Sequence, residues 1–468
     1  MLQRMLLSLL HPGIRIDGES SGEQSMRRMS IFWGCTIPAR FPFVEKATRL
    51  CADELGVELV DIAGFTCCPE GTLVKAADED AFYLTAARNL AIAEREHLPL
   101  MTPCNGCYST FKSVLSDLTV DWRLRRLIND RLADMGLSLD GELSVQHLVE
   151  WLSEDIGPAS LSKRVSLPLW GMRVAVHHGC HLLRPSPAIR WDSPLDPTKF
   201  EQLVRTLGAT VVEYETKMEC CGGALDRVGD RQGALAMCKN KLTDMQEQGA
   251  DAMVVCCPSC LQQFDLNQAA MLRETASEGL PVFYITELLA LAMGFTPEEL
   301  GLEMHRVSVA PFLAKWRTRL DQRAVLAESF NLADLQICAS CRACDADCPV
   351  AKTNEDFVPS SFIADLLAGE IEDILERPTL WQCVDCLTCY ERCHSRIGMA
   401  EVFEKLKRLA REKGRVPASA QSSYETFLAS GVLGSARTSV REKLGLPPMP
   451  ACGGEELKRL LAREKSGS

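Results

Sequence analysis

The sequence predicts a duplicated α/β domain with parallel sheets, followed by a small all-α domain. A Cys-Cys pair is followed at the same interval by a Cys-x-x-Cys motif in two places, after Cys67 and after Cys220. In both copies, strand-like runs alternate with helical patterns, which favours a parallel sheet. Beyond about residue 295 only helical periodicity remains. We therefore expect an arm at 1–28, two α/β halves at 29–165 and 166–295, a helical domain at 296–413 and a tail at 414–468.

Each group of cysteines follows a short strand-like run. These runs are Ser30–Trp33, Val57–Ile62 and Leu98–Thr102 in the first copy, and Arg173–Val176, Thr210–Tyr214 and Ala252–Val255 in the second. Ligands of open parallel sheets gather beyond the carboxyl ends of the strands. Because every cysteine group of both copies falls at such an end, we expect one ligand site in each half.

Composition and charge exclude several classes of function. The chain has 468 residues, 46% of them hydrophobic and 24% charged, which is typical of a soluble protein with more than one core. A net charge of -12 and an aromatic content of 6% argue against binding nucleic acid through bulk charge or base stacking. We find no apolar run of about 18 residues and no export signal, so we predict no membrane-spanning helix and a cytoplasmic location.

The 22 cysteines point to metal binding. In a secreted protein such a number would indicate disulfides, but this chain is large and repeats Cys-x-x-Cys motifs. Closely spaced thiolates in a cytoplasmic setting are more often metal ligands than disulfide partners.

Two cysteine runs in the helical domain have the spacing C-x2-C-x2-C-x3-C, which is the bacterial ferredoxin signature. In that signature the fourth cysteine of each run completes the other cluster. We therefore assign two cubane [4Fe–4S] clusters; the alternative of two structural zinc sites fits this spacing poorly. The two ligand sets are Cys338, Cys341, Cys344 and Cys393, and Cys383, Cys386, Cys389 and Cys348.

Each α/β half carries five cysteines, one more than a cubane cluster needs. We call these two sets the first and second pentads. A fifth thiolate suggests a non-standard cluster, but one cubane or zinc site with a spare thiol stays open from spacing alone. The pentads are Cys35, Cys67, Cys68, Cys104 and Cys107, and Cys180, Cys220, Cys221, Cys257 and Cys260.

Residues 29–293 resemble HdrB, the cysteine-rich (CCG-domain) component of heterodisulfide reductase, and residues 325–413 resemble HdrC, its ferredoxin-like component. The resemblance to HdrB rests on paired cysteine-rich motifs, namely Cys67-Cys68-Pro69, Cys104-Asn105-Gly106-Cys107, Gly179-Cys180-His181, Cys220-Cys221-Gly222-Gly223 and Cys257-Pro258-Ser259-Cys260. It implies that each complete pentad holds a noncubane [4Fe–4S] cluster, with zinc in one of them as an alternative. It also implies a hetero-oligomer in which a flavin-containing, HdrA-like component donates electrons.

Three residues next to Cys180 are candidates for catalysis. His178 and His181 could donate protons to a thiolate product, and Arg184 could hold an anionic substrate. The alternative is that they hydrogen-bond cluster sulfurs or backbone, or pack in the fold. Cys256 directly precedes the second pentad's last motif, but we expect it not to be a ligand because the motif is complete without it.

We therefore predict the iron–sulfur component of an oxidoreductase complex. Electrons would pass from the flavin-containing component through the two cubane clusters to the pentads, where a disulfide or a similar small acceptor is reduced. The first alternative is a non-catalytic electron relay in a larger flavin-bifurcating or membrane-linked complex. The second is a structural zinc protein. No G-x-G-x-x-G loop follows a strand, so we predict no flavin or nicotinamide site in this chain.

Overall fold

The computed structural model describes residues 27–275, 279–341, 343–393, 398–433, 438–447 and 453–464. The predicted arm at 1–28 lies outside the described residues except for Arg27 and Arg28, which begin the first strand.

The first half contains a four-stranded sheet in which all neighbouring strands are parallel, in the order β2-β1-β3-β4. Its strands are β1 (Arg27–Ile31), β2 (Val57–Asp61), β3 (Leu100–Thr102) and β4 (Val145–His147). Its helices are α1 (Thr36–Arg40), α2 (Pro42–Glu54), α3 (Glu79–Glu94), α4 (Asn105–Val120), α5 (Trp122–Leu132), α6 (Leu148–Glu150) and α7 (Pro158–Ser162).

The second half repeats this topology as β6-β5-β7-β8, again with all neighbours parallel. Its strands are β5 (Arg173–His177), β6 (Thr210–Val212), β7 (Ala252–Val255) and β8 (Val282–Tyr284). Its helices are α8 (Ser186–Ile189), α9 (Lys199–Thr206), α10 (Gly223–Arg227), α11 (Arg231–Glu247), α12 (Pro258–Leu261), α13 (Gln268–Thr275) and α14 (Ile285–Met293). The predicted duplication and the predicted parallel sheets are confirmed, and the structure adds β4, which the sequence analysis did not predict.

A glycine in the left-handed region separates the first strand of each half from the first cysteine. Gly34 and Gly179 both have φ of +72°, which a residue with a Cβ adopts only at a cost. A Cβ on Gly34 would lie 3.0 Å from the Cys107 Sγ, and one on Gly179 would lie 2.5 Å from the Asn105 Nδ2. In each half, the glycine that precedes the first cysteine therefore packs directly against a Cys-x-x-Cys motif.

Every element described after Met293 is a helix or a 3-10 turn. The helices are α15 (Pro297–Leu300), α16 (Ala310–Ser329), α17 (Leu332–Cys341), α18 (Ala343–Asp347), α19 (Pro359–Ala368), α20 (Ile371–Glu376), α21 (Thr388–Arg392), α22 (Met399–Glu412), α23 (Ala418–Ser430), α24 (Thr438–Lys443) and α25 (Gly454–Glu464). Across the described ranges, no helix is both long enough and apolar enough to span a membrane.

Helix α16 connects two hydrophobic cores. Phe312 and Trp316 near its start belong to the core that both α/β halves share. Leu326 near its end belongs to the core of the helical region. The Trp316 Nε1 donates to the carbonyl oxygen of Pro168 at 2.9 Å, and Lys315 pairs with Asp251 at 2.6 Å. The two cores are therefore joined by a continuous packed helix and do not depend on a loose linker.

Candidate functional site

The cysteines of both pentads converge on one cavity of about 360 Å³ between the two α/β halves. All ten line it, together with His181. The paired sheets explain this convergence, because β1, β3, β5 and β7 all run parallel to their neighbours and end at this side. The two sites predicted from the strand ends are thus brought together into one.

The ten thiols form an unbroken row of side-chain contacts. Within the row, the Cys35 Sγ lies 3.8 Å from the Cys67 Sγ, and the Cys221 Sγ lies 3.6 Å from the Cys260 Sγ. The order of contacts is Cys35, Cys67, Cys68, Cys107, Cys104, Cys257, Cys260, Cys221, Cys220 and Cys180. Each thiol of the first half has its equivalent at the same place in the row, counted from the opposite end. The duplication therefore extends to each thiol. The contact between Cys104 and Cys257 joins the pentads.

Hydrogen bonds between thiols shift their pKa values in a regular way. Cys107 and Cys67 together lower the pKa of Cys68, and Cys104 and Cys260 together lower the pKa of Cys257. Hydrogen bonds from Cys180 and Cys221 lower the pKa of Cys220 to about 2. Contacts within the row therefore favour the thiolate form of some of its members, and a thiolate is the form that binds iron or zinc.

The donor set fits a group that needs many soft ligands. Each half has five thiols in a row of contacts, one more than the four that a cubane cluster or a zinc ion takes. Soft thiolate ligands select iron–sulfur clusters, zinc or Cu(I) over hard cations. The arrangement can therefore hold one thiolate-rich metal group in each half, with the space between them accessible through the shared cavity.

Two buried side chains fix the distance between the pentads. The amide of Asn105, which follows Cys104, donates to the carbonyl oxygen of His178 at 2.8 Å. The Tyr284 hydroxyl lies within reach of the carbonyl oxygens of Pro103 and Cys256, at 2.8 Å from the latter. These carbonyls directly precede Cys104 and Cys257. Sequence reasoning did not identify either residue, because each has a partner in the opposite half.

The three residues predicted to be catalytic occupy different surroundings. His181 lines the cavity. His178 is buried with its ring against Phe200, and burial lowers its pKa to about 3. The guanidinium of Arg184 donates two hydrogen bonds to the carbonyl oxygen of Pro194. The structure thus brings His181 to the pentads and directs the Arg184 side chain to the backbone.

His177, at the end of β5, lies near two cysteines of the second pentad and could bind a metal together with them. Its ring packs on Phe264 with 5.0 Å between centroids. One of its ring nitrogens and the sulfurs of Cys221 and Cys260 all lie within 4.8 Å of one another. Burial lowers the pKa of His177 well below its usual range.

The cysteines outside the pentads make other contacts. The Cys51 Sγ donates to the carbonyl oxygen of Thr286, and the Cys238 Sγ donates to that of Gln263, both at 3.3 Å. The Cys256 Sγ lies 3.5 Å from both the Asn105 Oδ1 and the carbonyl oxygen of His178. All three thiols are buried. Cys452 lies outside the described residues.

The helical region gathers its cysteines as two further groups. A small cavity is lined by Cys383, Cys386 and Cys389 of the second run together with Cys348, the last cysteine of the first run. Burial raises the pKa of Cys338, and Cys393 adds to the rise through its charge. Each run therefore has the last cysteine of the other run nearby.

One ion pair and an apolar surface complete the wall of the α/β cavity. Arg227 of the second half lies 3.5 Å from the Glu70 carboxylate of the first half. Both side chains line the cavity, as do Leu73, Val74 and Ala224. An occupant of the cavity would therefore be near cysteine sulfurs, His181, apolar side chains and the ion pair of Glu70 and Arg227.

Comparisons with known proteins agree with this organisation. The model of a cysteine-rich domain matches residues 29–112 and 174–265, and that of a 4Fe-4S dicluster domain matches residues 331–394. The HdrB component of a ferredoxin- and F420H2-dependent CoB-CoM heterodisulfide reductase from Methanosarcina acetivorans is 37% identical over 292 residues, which are 62% of this chain and 97% of that protein.

Two other relatives cover complementary parts of the chain. The membrane anchor subunit of an 8-methylmenaquinol:fumarate reductase from Wolinella succinogenes is 31% identical over 59% of this chain and 95% of that protein. An HdrC-like protein of the heterodisulfide reductase type from Archaeoglobus profundus is 28% identical over 32% of this chain and 83% of that protein. The HdrB-like and HdrC-like matches thus fall on one polypeptide.

Proposed function

The chain belongs to the HdrB family of heterodisulfide reductase components and continues into an HdrC-like segment, and from this we propose that it reduces a disulfide within an oxidoreductase complex. The substrate class is a disulfide of small thiols or a comparable acceptor of two electrons. The chain would receive its electrons from a flavin-containing, HdrA-like partner.

The observation that carries the proposal is the row of ten thiols around one cavity. A relay of electrons needs only one ordinary cluster at a time, whereas two complete pentads facing a shared space suit the delivery of two electrons to one molecule. Bound there, noncubane [4Fe–4S] clusters would supply one-electron steps at both sides of a substrate. The overall reaction consumes two electrons and two protons and converts one disulfide into two thiols.

The chain's own residues would bind the substrate and supply a proton. His181 lines the cavity and is the residue that we propose as proton donor to a departing thiolate. The apolar side chains of Leu73, Val74 and Ala224 would exclude water from the bound disulfide. The His178 ring packs on Phe200, and the Arg184 guanidinium binds the carbonyl oxygen of Pro194. These two residues would therefore act on the substrate only indirectly, through the backbone that carries His181.

The helical region would supply the path for electrons. We propose its two cysteine groups as cubane [4Fe–4S] sites, because each resembles the ligand set of a two-cluster ferredoxin. Helix α16 joins this region to the α/β halves by contacts at Trp316 and Lys315. A rigid junction of this kind keeps the distance for electron transfer constant.

The second candidate is an electron relay to another enzyme. The relative from Wolinella succinogenes, named as the anchor subunit of a quinol:fumarate reductase, favours it because that complex acts on a different acceptor. The two candidates also differ in location: a relay of this kind would work at a membrane, and the disulfide reductase that we favour would work in the cytoplasm.

The test begins with anaerobic purification of the full chain and measurement of iron, zinc and acid-labile sulfide. We expect about sixteen irons per chain, four for each of four [4Fe–4S] clusters. The protein is then supplied with reduced viologen and a series of disulfides of small thiols, and released thiols are counted against viologen oxidised. Two thiols per two electrons, together with loss of this activity in Cys221→Ser, would support the disulfide reductase.

Other outcomes would overturn the proposal. About eight irons per chain, the content of two cubane clusters, would leave the pentads without clusters. Stoichiometric zinc with little sulfide would indicate the structural zinc protein. A full complement of iron with no thiol released from any disulfide would favour the relay.

A further inference from the structure

His177 is a buried imidazole whose polar atoms have no protein partner. Its side chain is 1% exposed, and neither ring nitrogen has a hydrogen-bond partner among the described residues. An imidazole left in this state costs free energy, since each buried polar group normally finds a partner. A bound group that accepts a hydrogen bond would remove this cost.

The equivalent position in the first half is occupied by a phenylalanine. Phe32 stands two residues before Gly34, as His177 stands two residues before Gly179, and both glycines have φ of +72°. The ring of Phe32 packs on Phe111 with 4.8 Å between centroids. His177 packs in the same way on Phe264, and each of these partners lies four residues after the last cysteine of its pentad. The two rings therefore occupy equivalent places, and only the second carries polar atoms.

The imidazole faces the sulfurs of its own half. One ring nitrogen lies within 4.8 Å of the Cys221 Sγ and of the Cys260 Sγ, and these two sulfurs are 3.6 Å apart. The second pentad already supplies five thiols, as the first does without any histidine. A sixth ligand is therefore not required, and an imidazole N–H without a protein partner is suited to donate to a thiolate sulfur.

Resting on the proposed function of the pentads as cluster sites, we propose that His177 donates a hydrogen bond to a cysteine sulfur of the second cluster and makes that cluster the easier one to reduce. A hydrogen bond to a ligand sulfur stabilises the more negative, reduced state, so it raises the reduction potential. Phe32 offers no such donor to the first cluster. Two clusters with the same thiol ligands thereby have different potentials.

The difference gives the two halves an order of reduction. The first electron to reach the cavity would reside in the second half, next to His181. The first half would be reduced next and supply the second electron. His177 is a positioning residue in this account, since it contacts the cluster's ligands and does not contact the substrate.

The experiment is a redox titration of the anaerobically purified full chain, followed by EPR, in wild type and in His177→Phe. The variant copies the first half's own residue, so its ring fits a place that a phenyl group already fills in the equivalent fold. We expect one couple to shift to lower potential by at least a tenfold change in its reduction equilibrium, which is about 59 mV for one electron. The couple that shifts should be the one that Cys221→Ser lacks.

Two further variants separate a hydrogen bond from packing. His177→Gln keeps an N–H donor, so its reduction potential should fall less than that of His177→Phe. His178→Phe changes the neighbouring buried imidazole, which packs on Phe200, and should leave both potentials in place. Electron spin-echo measurements on protein labelled with ¹⁵N-histidine should show a weak nitrogen coupling that disappears in His177→Phe.

The failure of this inference is distinguishable from the failure of the proposed function. Wild-type protein without iron in the pentads would remove the proposed function. Wild-type protein with full iron whose potentials do not change in His177→Phe would overturn the role of His177 alone. A strong nitrogen coupling, as direct bonding to iron would give, would also overturn the hydrogen bond.

Discussion

The two α/β halves have the same strand order and the same five thiols but place them in different surroundings. Cys35 and Cys67 of the first half are exposed, whereas Cys180 and Cys220 of the second half are partly buried. Phe32 stands beside the first pentad, and His177 stands beside the second. The repeated thiols determine which kind of group can bind, and the residues around them determine how that group behaves. Duplication has therefore preserved the ligands while allowing the environment to diverge.

A second difference lies where the last strand of each half meets a helix. His147 and Tyr284 end β4 and β8, and a glutamate three residues later caps each helix start. In the first half, Glu150 accepts from the Tyr108 hydroxyl at 2.8 Å. In the second half, Glu287 pairs with His305 at 2.9 Å. The equivalent capping carboxylate thus accepts a hydrogen bond from a neutral hydroxyl in one half and pairs with a titratable imidazole in the other.

The largest expected effect comes from removing one equivalent cysteine from each half. Cys68→Ser and Cys221→Ser should each lower the iron content by about four per chain, because each removes a ligand from one cluster of four irons. Iron and sulfide analysis of the two variants, compared with wild type, measures this directly. The two variants serve as controls for each other.

The contact between Cys104 and Cys257 could make the assembly of one cluster depend on the other. If the pentads assemble as one unit, either substitution would lower the iron content by about eight per chain, the content of two clusters. A loss of about four from one variant and eight from the other would show that one half assembles only on the other.

The next largest effect concerns the hydrogen bond that joins the halves. Asn105→Ala removes the amide that donates to the buried carbonyl of His178 at 2.8 Å. We expect a loss of about 1–3 kcal/mol in the free energy of unfolding, since a buried acceptor loses its main donor. Denaturant unfolding followed by circular dichroism would measure it, with iron content determined in parallel.

Ser109→Ala is the matched control for this substitution. The Ser109 hydroxyl also joins the halves, donating to the carbonyl oxygen of Arg184 at 3.1 Å. Because this hydrogen bond is only partly buried, whereas that of Asn105 is fully buried, its loss should cost about 0.5–1.5 kcal/mol. Equal losses of unfolding free energy in both variants would contradict our view that Asn105 contributes more than Ser109 to holding the halves together.

Much of this organisation could be predicted from the sequence. The strand Ala252–Val255 has the bounds that its apolar run indicates. The ferredoxin spacing predicted which cysteines would group, and Cys348 does lie with the second run. Patterns of this kind are local, so they can be read from one stretch of chain.

The features that the sequence did not predict arise from contacts between distant segments. The pentads looked like two sites, but their shared cavity depends on how the halves pack, which no local pattern records. Asn105 donates to a carbonyl oxygen of the second half, and the Tyr284 hydroxyl contacts a carbonyl oxygen of each half. Within the helical domain, α19 and α20 are separated at Gly369, where φ is +83° and Arg319 donates to the carbonyl oxygen. A periodic apolar pattern continues through such a break and does not reveal it.

A smaller effect concerns the dependence of stability on pH. Burial alone would lower the pKa of His305, but the charge and hydrogen bond of Glu287, with Asp265, outweigh it and raise the pKa. The stabilisation from this pair is therefore complete below the usual histidine pKa of about 6.5 and is lost as pH rises through the raised value. Each unit of the rise corresponds to roughly 1.4 kcal/mol.

Thermal unfolding measured from acid to alkaline pH would test this second-half feature. His305→Asn should flatten the decline above about pH 6.5, the usual histidine value. Tyr108→Phe, which changes the first half's partner of Glu150, should leave that part of the profile unchanged. A decline that persists in His305→Asn would assign the pH dependence to another group.

The smallest expected effect belongs to the ion pair of Glu70 and Arg227, which links the halves along the cavity wall at 3.5 Å. The Arg227 side chain is 44% exposed, so a double-mutant cycle with Glu70→Gln and Arg227→Gln should give a coupling below about 1 kcal/mol that weakens with salt. Unfolding free energies of the two single variants and the double variant supply the measurement. A coupling above about 2 kcal/mol that resists salt would mean that the pair is shielded from water. The halves would then be held together at the cavity by charge as well as by Asn105. The different surroundings of the two pentads would then matter less for the assembly of the halves than for the clusters that they hold.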